Sequence, residues 1–287
     1  MKFMIRFFLA LSLSLPVAAG AYNIPVTAKA AIIVNADNGE VLWAKNPHLK
    51  LQPASTTKVL TGIVALEYAS MSQVCSVSER AAGTQASRIN LRPGDELPVK
   101  DLIYALLLKS ANDSAVVLAE NIGGSIKQFA AMMNAKARAI GAFDSNFVNP
   151  HGLTARGQYT TAYDLALMLR YAIQKPAFKE VALTREYMLD MDNRRPVRIK
   201  NHNRLLWKEE GAGAGKTGYT RAARHCYVGE VTKDGAHLIV AILGSRTPWQ
   251  DVELLIERGA DVYATHATGA TNDIRAGRDT QKKGKAS

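Results

Sequence analysis

The segments with strand character lie at the two ends of this 287-residue chain, and the stretch between them is patterned for helices. That order leaves few arrangements. Near the N-terminal end Ala31-Ile32-Ile33-Val34 is an apolar run, Asp37-Asn38-Gly39 supplies an Asn-Gly turn, and Val41-Leu42-Trp43 returns. Near the other end His225 to Thr232 runs out, Asp234-Gly235 turns, and His237 to Leu243 comes back as a strongly apolar strand. Between them, Thr56 to Tyr68, Lys100 to Lys109, Ser114 to Ile122, Ile126 to Ile140 and Thr161 to Ile173 carry apolar residues at helical spacing. Thr161-Ala162-Tyr163-Asp164 has the form of a capping box with Asp in place of Glu. A last helix is expected from Asp251 to Tyr263. The economical packing joins the two hairpins into one antiparallel sheet, with the helical middle as a layer or lobe beside it. The expected class is α/β in the α+β sense, with a cleft between the sheet edge and the helices.

The extreme ends stand apart from that body. Lys2 and Arg6 make a basic start, Phe7 to Val17 is mostly apolar, and Ala19-Gly20-Ala21 offers a small-residue cleavage site. This is the pattern of a secretory signal peptide over 1–21, too short to span a bilayer. No later stretch approaches the ~20 apolar residues of a transmembrane helix. Residues 22–266 then hold the folded body. Residues 267–287 are polar, with five basic and two acidic groups, and read as a disordered tail. The net charge is +11, and removing two cations, Lys2 and Arg6, leaves +9. Such a balance suits a nucleic acid, an anionic surface or an anionic polymer, or is merely solubilising; export argues against nucleic acid. Cys75 and Cys226, far apart in sequence, form no disulfide framework and read as buried free thiols. No cysteine or histidine cluster offers metal ligands, so neither a metal nor a cofactor is expected.

Three short motifs carry chemistry. Ser55 and Lys58, in Pro53-Ala54-Ser55-Thr56-Thr57-Lys58, stand where a loop enters an apolar helix. Residues three apart share a helix face, about 5–6 Å between Cβ atoms, so hydroxyl and amine can meet. A desolvated lysine with a lowered pKa can take the serine proton, and the helix N-terminus favours the charge that develops. Ser110-Ala111-Asn112 sits at a helix junction, where a hydroxyl and an amide can relay a proton and bind a carbonyl. Lys216-Thr217-Gly218 reads as an edge strand facing the cleft, able to bind a carboxylate, with Gly218 letting an extended substrate approach. It is not a phosphate loop, because Glu210 stands where that motif needs glycine. Each motif alone also has a plain reading: an N-cap, a helix junction cap, a glycine-rich turn with a solvated lysine.

Together, each once and in this order, the motifs resemble those of the penicillin-binding proteins and serine β-lactamases. The chain is most similar to the D-alanyl-D-alanine carboxypeptidases of the peptidase S11 family, from about Ile24 to Ala264. Ala36 to Leu42, Pro53 to Thr61, Leu106 to Ala119, Val148-Asn149-Pro150-His151-Gly152-Leu153, Asn203 to Trp207 and Gly215 to Thr220 carry the likeness. It implies a β-lactamase/transpeptidase-like fold and an acyl-enzyme on Ser55, with Lys58 as base. It further implies an oxyanion hole from the Ser55 and Tyr219 N–H groups and a proton relay through Ser110 and Lys216. Asn112 would hold the substrate amide, and Thr217, with Lys216 and Gly218, the carboxylate end. His151 would stabilise its loop. The implied partners are a peptidoglycan pentapeptide and β-lactam inhibitors, and the implied location is periplasmic or extracytoplasmic, soluble or peripheral to wall or membrane. A D,D-endopeptidase, a β-lactamase and a catalytically silent wall-binding protein are the rivals. For a β-lactamase, Glu186-Tyr187-Met188-Leu189-Asp190 ends in Asp where the deacylation loop has Asn. Arg224 and His202 depart from the family pattern, which usually has glycine at the first and in some members arginine at the second.

Overall fold

The backbone of the computed structural model is described over residues 23–85, 87–191 and 195–283, and its side chains as far as Thr265. The expected signal peptide lies outside these residues. In chain order the elements are β1 (Ala30–Asn35), β2 (Val41–Lys45), α1 (Lys58–Tyr68), β3 (Val74–Ser76), α2 (Glu79–Ala82), β4 (Glu96–Pro98) and α3 (Val99–Tyr104). Then come α4 (Asn112–Gly123), α5 (Ile126–Ile140), α6 (Ala162–Ile173), α7 (Pro176–Leu183), β5 (Glu186–Leu189), β6 (Val197–Lys200) and α8 (Leu205–Lys208). Strands β7 (Ala212–Thr220), β8 (Arg224–Lys233) and β9 (Ala236–Ser245) and helix α9 (Pro248–Lys283) complete the chain.

The two ends do build one sheet. Its order is β2-β1-β9-β8-β7, antiparallel throughout, and β1 joins the C-terminal hairpin by pairing with β9. Every residue of β1 is buried, as suits a strand covered on both faces. Its even residues Ile32 and Val34 join the core under the helical layer, while Ala31 and Ile33 join a second core under α9. The sheet is thus the middle of three layers, and β7 is its edge toward the helices. The last helix runs beyond Tyr263 to Lys283, so the tail expected over 267–287 begins inside a helical segment.

The hairpins differ in their turns. Asp234 and Gly235 both take positive φ (+49° and +78°), the two-residue turn expected there. At the first hairpin only Gly39 does (+83°), and Asn38 stays in ordinary space. The Asn35 Oδ1 accepts from the Asp37 and Asn38 N–H groups and shapes a longer loop instead. The capping box at α6 is half formed. Thr161 Oγ1 accepts from Asp164 N at 3.0 Å, but the shorter Asp carboxylate turns to Ser145 Oγ at 2.6 Å.

Candidate active site

Ser55 lies in a 3-10 turn, Ala54–Thr57, that leads into α1. Ala54, just before it, is held at φ +47°, a conformation a non-glycine residue keeps only when its surroundings enforce it. Lys58 opens α1 and is fully buried. Its Nζ lies 3.1 Å from Ser55 Oγ, 2.7 Å from Asn112 Oδ1 and 2.6 Å from the His151 carbonyl. The last two oxygens can only accept, and a neutral amine has two N–H groups and one lone pair. In the neutral form both protons would serve those two oxygens, and the lone pair would be left for the serine hydroxyl. Burial, and then the charge of Lys216, hold the Lys58 pKa well below the ordinary lysine value, while Asp113 works the other way. The amine is buried, biased toward neutrality and within reach of the serine hydroxyl.

The opposite rim comes from the junction of α3 and α4. After α3 the backbone widens into a π-helical turn, Ala105–Lys109, which ends on Ser110 at φ +63°. Neither the π-turn nor the left-handed serine belongs to the continuous helix expected over Lys100 to Lys109. Such turns cluster at functional sites because they re-aim the residue that follows. Ser110 Oγ is buried with no hydrogen-bond partner among the described residues, and Ser110 borders a cavity of about 240 Å³ that Ser55, Asn112, Thr217 and Tyr219 also line. Asn112 is fixed by its Nδ2 on the Gln85 carbonyl (2.9 Å) and its N–H on the Ser87 carbonyl (2.7 Å). The orientation of its amide oxygen toward Lys58 follows.

Strand β7 closes the cavity. Lys216 is 2% exposed and, among the described residues, reaches only the Thr217 carbonyl, at 3.0 Å. Burial lowers its pKa to about 7. Gly218 also has a packing role that was not expected. A Cβ there would meet the Ser55 nitrogen at 2.8 Å, so the missing side chain lets the strand approach the Ser55 N–H. Tyr219 is half exposed beside the cavity and packs on His225, with ring centroids 4.6 Å apart. All eight residues singled out in the sequence therefore converge on one cleft.

The profile of the family described as D-alanyl-D-alanine carboxypeptidase, Peptidase S11, matches residues 17–247. The chain belongs to this family. It is 34% identical over 266 residues to the carboxypeptidase DacF of Bacillus subtilis, covering 90% of this chain and 68% of that protein. DacB2 of Mycobacterium tuberculosis is 33% identical over 250 residues, 84% of this chain and 85% of that one. A crystal structure of a D-alanyl-D-alanine carboxypeptidase from M. tuberculosis H37Rv superposes with a TM-score of 0.78 at 31% identity, over 83% of this chain and 94% of that one. A Streptomyces DD-transpeptidase gives 0.76 at 26% identity, over 82% and 97%. The chain is a serine-type D-Ala-D-Ala carboxypeptidase of this fold.

Sequence reasoning about this S11 enzyme missed two supporting contacts. The first is made by the backbone of the 148–153 loop, a stretch already singled out: the His151 carbonyl accepts from Lys58 Nζ and the Pro150 carbonyl accepts from Thr61 Oγ1 at 2.6 Å. Gly152, at φ +89°, packs so tightly that a Cβ would lie 1.8 Å from the Ala54 carbonyl oxygen. The His151 ring is spectator to the chemistry. Its Nδ1 accepts from Leu153 N, and burial with the nearby Lys58 lowers its pKa to about 3, so it is neutral. The second is Asp113, buried, whose carboxylate accepts from the N–H groups of Ile89, Leu91 and Ser114. It braces the 87–91 segment beside Asn112.

The two departures from the pattern separate in space. His202 lines the catalytic cavity, and burial, with the charges of Lys216 and Lys109, lowers its pKa to about 4. Arg224 instead borders a neighbouring cavity of about 350 Å³ with Thr27, Lys29, Gly244 and Arg246. It holds φ +60° at the start of β8, which accounts for a preference for glycine there. Cys75 and Cys226 are both free and buried, and burial raises the Cys226 thiol to about 12, far from a thiolate. Glu186, of the near-match to a deacylation loop, lies on the β5–β6 hairpin, bound by Arg198 at 2.7 and 2.6 Å.

Proposed function

We propose that Ser55 is the nucleophile that removes the terminal D-alanine from a peptidoglycan stem peptide, and that Lys58 is its base. The observation that carries this is the buried Lys58 amine, biased toward neutrality and 3.1 Å from Ser55 Oγ in the cleft. Ser55 Oγ attacks the carbonyl of the penultimate D-alanine as its proton passes to Lys58 Nζ. The oxyanion is received by the N–H groups of Ser55 and Tyr219. The C–N bond then breaks, and the departing amine takes a proton through Ser110 from the lysine pair. Asn112 holds the substrate amide, and Thr217 and Lys216 hold the terminal carboxylate beside Gly218. Water hydrolyses the ester and restores Ser55. A β-lactam acylates the same oxygen, opening its ring, so no leaving group departs.

A wall substrate supports a reaction outside the cytoplasm, as does the signal-peptide pattern of residues 1–21. Among the described residues no helix is long and apolar enough to cross a membrane. Mass spectrometry after incubation with a β-lactam tests the assignment. One adduct on Ser55 is expected, and a folded protein without a label refutes it. Incubation with free pentapeptide and with cross-linked sacculi then distinguishes release of D-alanine from scission of cross-links. Exclusive scission would favour the endopeptidase.

A further inference from the structure

Alternation along β7 decides which of its side chains enter the cleft. Lys216 and Gly218 face the helical layer, as does Ala214, which belongs to the helix-side core. Ala212, two residues earlier, packs instead against the core under α9. In a regular strand residues two apart share a face, so the phase reverses between them. The register shows where. Ala212 pairs with Val231 and Gly215 with Gly229, leaving Gly213 and Ala214 together opposite Glu230. This is a β-bulge, a device that re-aims the residues beyond it. Without it, a one-residue slip would turn Lys216 and Gly218 to the outer face.

The Glu230 carboxylate fills the bulge. It is 4% exposed, and its Oε2 accepts from Ala214 N at 3.2 Å. A Cβ at Gly213 would lie 2.4 Å from that same oxygen, so the bulge needs glycine to admit the carboxylate. Oε1 accepts from Lys179 Nζ on α7 at 2.9 Å and from His237 Nε2 on β9 at 2.8 Å. The other His237 nitrogen is 2.7 Å from Asp37 Oδ1. An imidazole with carboxylates at both nitrogens satisfies both as the cation. Burial pushes the Glu230 pKa up, but Lys179, His237 and the Ala214 N–H outweigh it and the net shift is downward.

We propose that Glu230 is a positioning residue: seated in the bulge opposite Gly213 and Ala214, it sets the phase in which β7 presents Lys216, Thr217 and Gly218. It touches no substrate. The inference rests on the assignment of Ser55 and Lys216 above, and its test separates the two. Labelling of the unaltered protein by a fluorescent penicillin is the control, since its failure overturns the assignment of Ser55. Amide exchange at Ala214 reports the bulge without any activity. Glu230→Ala should retain one label per folded chain yet acylate at least about tenfold more slowly, the scale of a small misplacement. It should speed exchange at Ala214 and move the alkaline limb of the acylation profile, which Lys216 sets near pH 7, toward higher pH. Glu230→Gln keeps an acceptor for Ala214 N and should stay within about threefold of the unaltered rate. Gly213→Ala should match Glu230→Ala, and the double variant should be no slower than either single one. Should Glu230→Ala not fold, the Gln and Gly213 variants decide. Unchanged exchange at Ala214, an unchanged rate and profile in Glu230→Ala or Gly213→Ala, or a Gln variant as slow as Ala would each overturn the proposal.

Discussion

The two walls of the cleft each present a buried lysine, and they hold it in opposite ways. On the helical wall Lys58 has oxygen neighbours from three separate segments, Ser55, Asn112 and the 148–153 loop. On the strand wall Lys216 has, among the described residues, only the neighbouring Thr217 carbonyl as a hydrogen-bond partner. The first amine is completed by the protein. The second is a buried donor with capacity left over, which on the proposed mechanism an anionic group of the substrate would take. A preorganised base and an unsatisfied carboxylate receptor are what a hydrolase acting at a peptide C-terminus needs.

Substitution by an apolar residue of similar volume breaks this comparison most sharply. Ser55→Ala and Lys58→Met should each lower acylation by at least about 10⁴-fold, because nucleophile and base act as one unit. Lys58→Met also strands two buried acceptors, Asn112 Oδ1 and the His151 carbonyl, and should lower Tm. Lys216→Met should cost about 10²-fold in activity but raise stability by roughly 1–4 kcal/mol, as when a buried charge gives way to packing. The sign depends on pH. A lysine whose pKa falls on folding, here from 10.5 to about 7, binds fewer protons folded than unfolded, so it penalises the fold fully below pH 7. The gain from Lys216→Met should be largest there and shrink as pH rises toward 10.5. Equal stability changes in the two methionine variants, measured by calorimetry, would remove the contrast.

Glycine positions sharpen it further. Gly152→Ala places a Cβ 1.8 Å from the Ala54 carbonyl oxygen at φ +89°, so the helical wall should lose about 3 kcal/mol or more, seen as a lower Tm. Gly218→Ala meets Ser55 N at 2.8 Å in a strand already held by the sheet. It should fold, while acylation falls by roughly 10²-fold through displacement of the oxyanion donors. Comparing Tm with acylation rate across the two variants reads each wall separately.

The sequence was most legible where chemistry is local. Ser55 and Lys58 are three residues apart on one helical face, and Lys216-Thr217-Gly218 is a continuous strand, so spacing alone carried their geometry. The fold's plan was legible for the same reason, since each hairpin is a local object and only their union is long-range. What spacing cannot show is a contact made by a backbone carbonyl or by a change of phase. The His151 carbonyl reaches Lys58 from 93 positions away, and a carbonyl has no residue type. The bulge at Gly213 and Ala214 looks like an ordinary glycine-rich approach until Glu230 is placed opposite it. Ser110 was found as a residue but not in its left-handed pose, because the π-turn before it follows from packing in the surrounding core.

The pH profile of acylation tests both walls at once. Lys58 must be neutral to accept the Ser55 proton, so activity should fall as pH drops through its depressed pKa. Lys216 should be charged to draw the carboxylate, so activity should fall again as pH rises through about 7. Each limb should approach a tenfold change per pH unit. In Lys216→Met the alkaline limb should vanish and the acid limb should move up, because the Lys216 charge helps depress Lys58. An alkaline limb that survives that substitution would assign it to another group.

The smallest effect expected concerns Arg224, the residue whose identity departs from the family pattern. It keeps φ +60° where an L side chain crowds its own backbone, and it lines the cavity beside the catalytic one. Glycine relieves that crowding, worth about 1–2 kcal/mol, but frees the unfolded chain, which takes part of the gain back. Arg224→Gly should therefore raise stability by roughly 0.5–1 kcal/mol and leave acylation at Ser55 within about twofold. A larger fall in acylation would mean that the arginine reaches the strand wall through the Thr220–Arg224 pairing that closes the β7–β8 hairpin. The second lysine's wall would then extend one cavity further than its hydrogen bonds show.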